Sequence, residues 1–143
     1  LAGMEVLPVC GETLADEFAT LEKHWNDFDF FYIHIKKTDA FGEAGDFAGK
    51  VRAIEEVDSL LPRLMALQPD VLVVGGDHSS PAILKSHSWH PVPVLLYSKV
   101  TRADGIPEFG ERACARGSLG VLPATHILPI ALANAGRITK YGA

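Results

Sequence analysis

Residues 70–80 read D-V-L-V-V-G-G-D-H-S-S, and this stretch limits the possible folds more than any other in the chain. Its Val71–Val74 core is β-branched and aliphatic with no polar alternation, the pattern of a strand buried on both faces of a sheet. Gly75 and Gly76 end the run and allow backbone torsions closed to other residues. Asp77 and His78 are therefore expected at the strand's carboxyl end, where open α/β sheets place their sites. A carboxylate and an imidazole side by side suit a metal ion or a transferred proton. The plainer reading is a turn in which Asp77 caps the next segment and His78 is solvated.

The flanking sequence predicts a single α/β domain. Residues 4–9, interrupted by Pro8, read as an edge strand. Leu14, Phe18 and Leu21 recur at helical spacing over residues 13–25, with Thr13 or Gly11 at the start. F-D-F-F-Y-I-H-I at residues 28–35 favours a strand in which His34 is a hydrogen-bonded core residue. Residues 36–46 read as a polar loop in which a turn at Gly42 aims Asp39 and Glu43 at one cation; the alternative is a solvated loop. Asp46 then caps a helix over residues 47–67, kinked or divided into two pieces at Pro62. Its core stripe is Phe47, Val51, Ile54, Val57, Leu61, Leu64 and Met65, and Lys50, Arg52, Glu55, Glu56 and Asp58 form a solvated face.

Beyond Ser80 comes a short helical or irregular piece over residues 81–86, then His87 and His90 on a polar loop, and a second buried strand at residues 92–97. Spacing alone does not choose between those two histidines. Residues 99–109 read as a surface loop, residues 111–116 as a short helix, and residues 123–134 as a helix ending before Gly136, with His126 structural. Strand, helix, strand, helix, strand, strand, helix predicts a mostly parallel sheet flanked by helices, and loops carrying Asp39, Glu43, Asp77, His78 and His87 are expected to meet along one sheet edge.

Charge narrows the function classes. Thirteen Lys and Arg scattered among 18 Asp and Glu, for a net charge of −5, argue against a nucleic-acid surface. An anionic substrate would need a metal or a few placed cations. Two distant cysteines, Cys10 and Cys114, have no metal-like spacing and fit a reducing, cytoplasmic setting. No apolar run approaches the roughly 20 residues of a membrane-spanning helix. The chain opens almost directly in strand-like sequence, without Met at position 1, as expected of a segment from a longer polypeptide.

Three stretches together carry a family resemblance: H-I-K-K-T-D-A-F-G-E-A-G-D from His34, V-V-G-G-D-H-S-S-P from Val73, and L-K-S-H-S-W-H-P-V-P from Leu84. With similarity running from A-G-M-E-V near Ala2 to the closing K-Y-G-A, the chain resembles the carboxyl-terminal part of cofactor-independent (2,3-bisphosphoglycerate-independent) phosphoglycerate mutases, the archaeal-type branch of the alkaline phosphatase superfamily. The resemblance implies a three-layer α/β/α fold of which residues 1–143 are a part. It also implies two divalent ions, manganese or zinc: Asp39, Glu43 and His87 would hold one, Asp77 and His78 the other. Glu43 stands where many relatives have His, which leaves the metal's identity open, and Gly75 is a second departure, where relatives often have Thr.

The implied reaction interconverts 3- and 2-phosphoglycerate through a phosphoserine. Its nucleophile is expected upstream of this chain, so no catalytic residue is assigned within it and the chain alone is expected to be inactive. Competing readings are another phosphatase or phosphotransferase of the same superfamily, and a non-catalytic α/β module.

Overall fold

The computed structural model describes residues 3–139, so the resemblance near Ala2 and over residues 140–143 lies partly outside the described residues. The chain folds as two compact units, each discontinuous in sequence. One holds the residues up to Gln68 together with Ser80–Ser86; the other holds Pro69–Ser79 and the chain from His87 onward.

The first unit is helical. Helix α1 (Leu14–Lys23) begins where the side chain of Thr13 accepts from the amide of Asp16 while the Asp16 carboxylate accepts from the Thr13 amide, a reciprocal capping box. Its apolar stripe buries Leu14, Phe18 and Leu21, as the spacing predicts. Helix α2 (Lys37–Ala44) replaces the expected polar loop. Its propensity is weak, but Gly45 at φ 74° closes its end: the Gly45 amide bonds to the Gly42 carbonyl, and the Asp46 amide to that of Phe41. Asp46 then caps α3 (Phe47–Ala66) through the Gly49 amide at 2.8 Å. One residue thus ends one helix and starts the next.

Helix α3 runs through Pro62 without interruption. Its buried positions are Gly49, Ala53 and Leu64, whereas Phe47 and Ile54 of the expected stripe are exposed, so small residues set the contact face and let α1 and α2 approach. Arg63 locks α3 to α1 by donating from Nε and Nη2 to the two carboxylate oxygens of Glu22, both at 2.7 Å.

The expected strands at residues 4–9 and 28–35 are not strands. A strand exists through a ladder to a neighbour, and among the described residues the sheet consists of two other segments. Residues 31–35 still alternate, with Phe31, Ile33 and Ile35 half-buried and Tyr32 and His34 exposed, the period of an extended chain with one covered face. His34 is thus no core residue; it stacks on Tyr32 with ring centroids 6.3 Å apart.

In the second unit β1 (Val71–Val74) pairs with β2 (Leu95–Ser98) in antiparallel register, Val71 opposite Ser98 and Val74 opposite Leu95. This two-stranded antiparallel sheet stands in place of the mostly parallel one expected from element order. β2 begins later than expected because Pro91 and Pro93 cannot donate ladder bonds. All four β1 residues are only half-buried. After α4 (Glu111–Cys114) and a 3₁₀ turn at Ala124–His126 comes α5 (Ile127–Asn134), with Gly136 at φ 69° beyond it. The buried Ser98 hydroxyl bonds to Thr101 and to Asn134 Oδ1, tying the end of β2 to α5. Among the described residues no helix is long and apolar enough to cross a membrane.

Hydrogen bonds from Thr13 lower the pKa of Asp16, and those from Arg63 lower that of Glu22. Both carboxylates favour the folded state when ionised, so their contribution is present above the ordinary values of 3.8 and 4.5 and disappears as pH falls through the depressed ones. Chemical denaturation between pH 6 and pH 3 is expected to show stability falling toward acid, with a shallower fall in Glu22→Gln. At neutral pH, Thr13→Ala should cost about 1 kcal/mol, the usual loss of an N-cap.

Candidate metal centre

The candidate ligands sit at element ends, and each has a local reason for its place. Asp39 lies in the first turn of α2, where the exposed amides and helix dipole favour a carboxylate. Its side chain is only 12% exposed. One carboxylate oxygen accepts from the hydroxyl of Ser80 and the other pairs with Lys36. Glu43 follows one helical turn later on the same face and is exposed. The helix, rather than a tight turn at Gly42, therefore aligns this pair.

Gly42 has a different task. A Cβ there would lie 2.2 Å from the Ser80 carbonyl oxygen, so only glycine lets α2 come this close to the segment at Ser80. Lys50, expected on a solvated face, reaches the same carbonyl with its ammonium at 2.6 Å. Ser80 is 4% exposed, and its hydroxyl and carbonyl are both engaged. Sequence reasoning missed Lys50 and Ser80 as parts of this arrangement. No local pattern signals a contact between residues 30 apart in sequence.

In the second unit, β1 delivers Asp77 and His78 beyond Val74. Gly75 and Gly76 do not have positive φ, so the unusual torsions expected of them are not used. At Gly75 a Cβ would make ordinary contact with Val94 at 3.5 Å, so a side chain fits there. Asp77 accepts from the His78 amide at 3.0 Å, and its carboxylate lies 3.6 Å from His78 Nε2. The Ser88 amide donates to the Ser79 carbonyl at 2.8 Å, forming an isolated antiparallel bridge. This bridge draws the histidine loop onto the strand end. The rings of His78 and His87 come to face each other, centroids 3.9 Å apart, with a nitrogen of each within 4.8 Å of the other.

His90 behaves differently: its Nδ1 meets the Ser88 hydroxyl at 2.9 Å and its ring stacks on Trp89. The local geometry thus distinguishes two histidines that spacing could not. Two imidazoles with an adjacent carboxylate form a borderline nitrogen and oxygen donor set of the kind that divalent metal ions take.

Gly42→Ala tests the close approach. Helix propensity alone would favour alanine by about 1 kcal/mol. The clash with the Ser80 carbonyl should reverse that sign, giving a net loss of about 1–2 kcal/mol in denaturant unfolding.

The chain is 54% identical over 143 residues to a protein of Thermotoga petrophila and 57% identical to one of Thermosipho africanus, covering 100% of this chain and 35% of each relative. A Thermus thermophilus relative is 54% identical over 145 residues, 36% of its length. All three are named probable 2,3-bisphosphoglycerate-independent phosphoglycerate mutases. The chain therefore spans about a third of the length of the relatives it matches. The solved structure of the PH0037 protein from Pyrococcus horikoshii superimposes with a TM-score of 0.83 at 31% identity, over 90% of this chain and 40% of that one. The family model for the metalloenzyme superfamily matches residues 11–134, and the chain belongs to that superfamily.

Proposed function

We propose that this chain is the carboxyl-terminal metal-ligand segment of a phosphoglycerate mutase that interconverts 3- and 2-phosphoglycerate in glycolysis and gluconeogenesis. The observation that carries the reading is the alignment of the entire chain, at 51–57% identity, with proteins named as such mutases. In the whole protein the segment belongs to an alkaline phosphatase-like α/β/α domain. Residues 28–35, whose exposure alternates with period two from Phe31 to Ile35, would serve as a strand of its larger, mostly parallel sheet.

Asp39, Glu43 and His87 are assigned to one divalent ion, and Asp77 and His78 to a second. The assignment follows the family pattern and is supported by the pairing of His78 with His87 and by the polypeptide itself, since Ser80, which holds Asp39, is two residues from His78. Manganese or zinc, when bound, neutralises phosphate oxygens and makes a hydroxyl more nucleophilic. The chain's own contribution is to fix the carboxylates and imidazoles at element ends and to supply the negative charge that retains the cations. The serine that accepts the phosphoryl group lies outside this chain, so the chain alone is inactive, and a cytoplasmic location follows from the substrate.

The test places this chain in the matching third of the Thermotoga maritima relative, 54% identical to it, and assays both isomerisation of 3-phosphoglycerate and phosphate release. Isomerisation with little phosphate release is expected. Predominant phosphate release would favour a phosphatase of the same superfamily. Asp77→Ala and His87→Ala should each lower turnover and manganese affinity by more than the 10–100-fold typical of losing a mere supporting partner. His90→Ala should change neither by more than about twofold. Unchanged manganese binding in all three variants would leave only a non-catalytic module.

A further inference from the structure

We propose that Ser80 is a positioning residue for Asp39, and that Lys50 and Gly42 hold Ser80 in place to do it; the proposal rests on Asp39 being a metal ligand. The juxtaposition comes from three separate segments within one compact unit. Asp39 and Gly42 lie on α2, Lys50 on α3, and Ser80 on the segment that follows the Asp77 and His78 motif.

A ligating carboxylate has two oxygens and two side-chain torsions. Left to itself, it loses rotamer freedom when it meets a cation. Here Ser80 donates its hydroxyl proton to Oδ1 of Asp39, so the carboxylate plane is set in advance and Oδ2 is aimed by the same bond. Oδ2 pairs with the Lys36 ammonium. The donor itself is not free to rotate away. Its carbonyl receives the Lys50 ammonium at 2.6 Å, the carbonyl oxygen sits against the open face of Gly42, and the residue is 4% exposed. Water therefore does not compete for the hydroxyl as it would at the surface.

A hydroxyl at this position is also economical in charge. Another carboxylate beside Asp39 would repel it, and a second fixed cation would oppose the metal. A neutral donor orients Asp39 without adding a further charge beside it.

The experiment uses the full-length chimera with the Thermotoga maritima relative. Manganese affinity is measured by titration calorimetry, and the visible band of bound cobalt reports ligand geometry. Ser80→Ala is expected to weaken manganese binding about 10–100-fold and to shift the cobalt band, with the far-ultraviolet spectrum unchanged. Ser80→Thr, which keeps the hydroxyl, should restore both. Lys50→Met should give a smaller loss in the same direction, and it carries the test if Ser80→Ala fails to fold.

Asp39→Asn separates the two claims. If it leaves manganese affinity unchanged, the ligand assignment fails. If it weakens binding while Ser80→Ala and Lys50→Met do not, the assignment stands and the positioning role is overturned. Equal losses in Ser80→Ala and Ser80→Thr would likewise overturn it, because they would show that packing rather than the hydroxyl matters.

Discussion

The backbone carbonyl of Ser80 is the constraint on which the first unit's arrangement around Asp39 depends. A buried carbonyl without a partner costs on the order of 1–3 kcal/mol, so the segment that carries it must find a donor. Lys50 provides one from α3, and the absent side chain of Gly42 provides the space on α2. Two helices and the returning segment are thereby fixed to one atom. The hydroxyl of the same residue then turns this structural necessity to use by holding a carboxylate.

The second unit reaches its geometry by another route. Its sheet has two short strands, and such a pair is marginal by itself. It is supplemented at both ends: by side-chain bonds of Ser98 with Thr101 and Asn134 at one, and by the backbone bridge from the Ser88 amide to the Ser79 carbonyl at the other. The first anchors α5 and the second brings two imidazoles together. Helix α5 is apolar on every side yet has no fully buried residue, and β1 is half-covered along its length. Such elements are normally enclosed. Their incomplete cover is in keeping with a chain that spans about a third of its relatives' length.

Much of the helical structure was legible because its signals are local. Thr13 and Asp16 are three residues apart, Asp46 and Gly49 likewise, and each pair closes its own cap. The strands were not, since alternation in F-F-Y-I-H-I marks an extended chain but cannot supply a neighbour. Helix α2 was missed for a related reason: eight residues with a glycine inside have little intrinsic preference, and contact with α3 decides the matter. At the candidate centre the chemistry of Asp39, Asp77, His78 and His87 could be read as residue types in sequence. Spacing did not separate His87 from His90 in the sequence, where only the family resemblance did, and Lys50 needed a partner 30 positions away.

Residues 28–35 carry a final consequence. Phe28, Phe30 and Tyr32 are exposed along a backbone that forms no strand among the described residues. Such a segment is a template for another chain, and copies of it can add edge to edge into insoluble stacks. Asp29 interrupts the aromatic run, and Lys36 and Lys37 stand at its end, where charges act as gatekeepers against self-association. The same sequence that would strengthen the interior of a larger sheet is thus a solubility hazard whenever that interior is laid open.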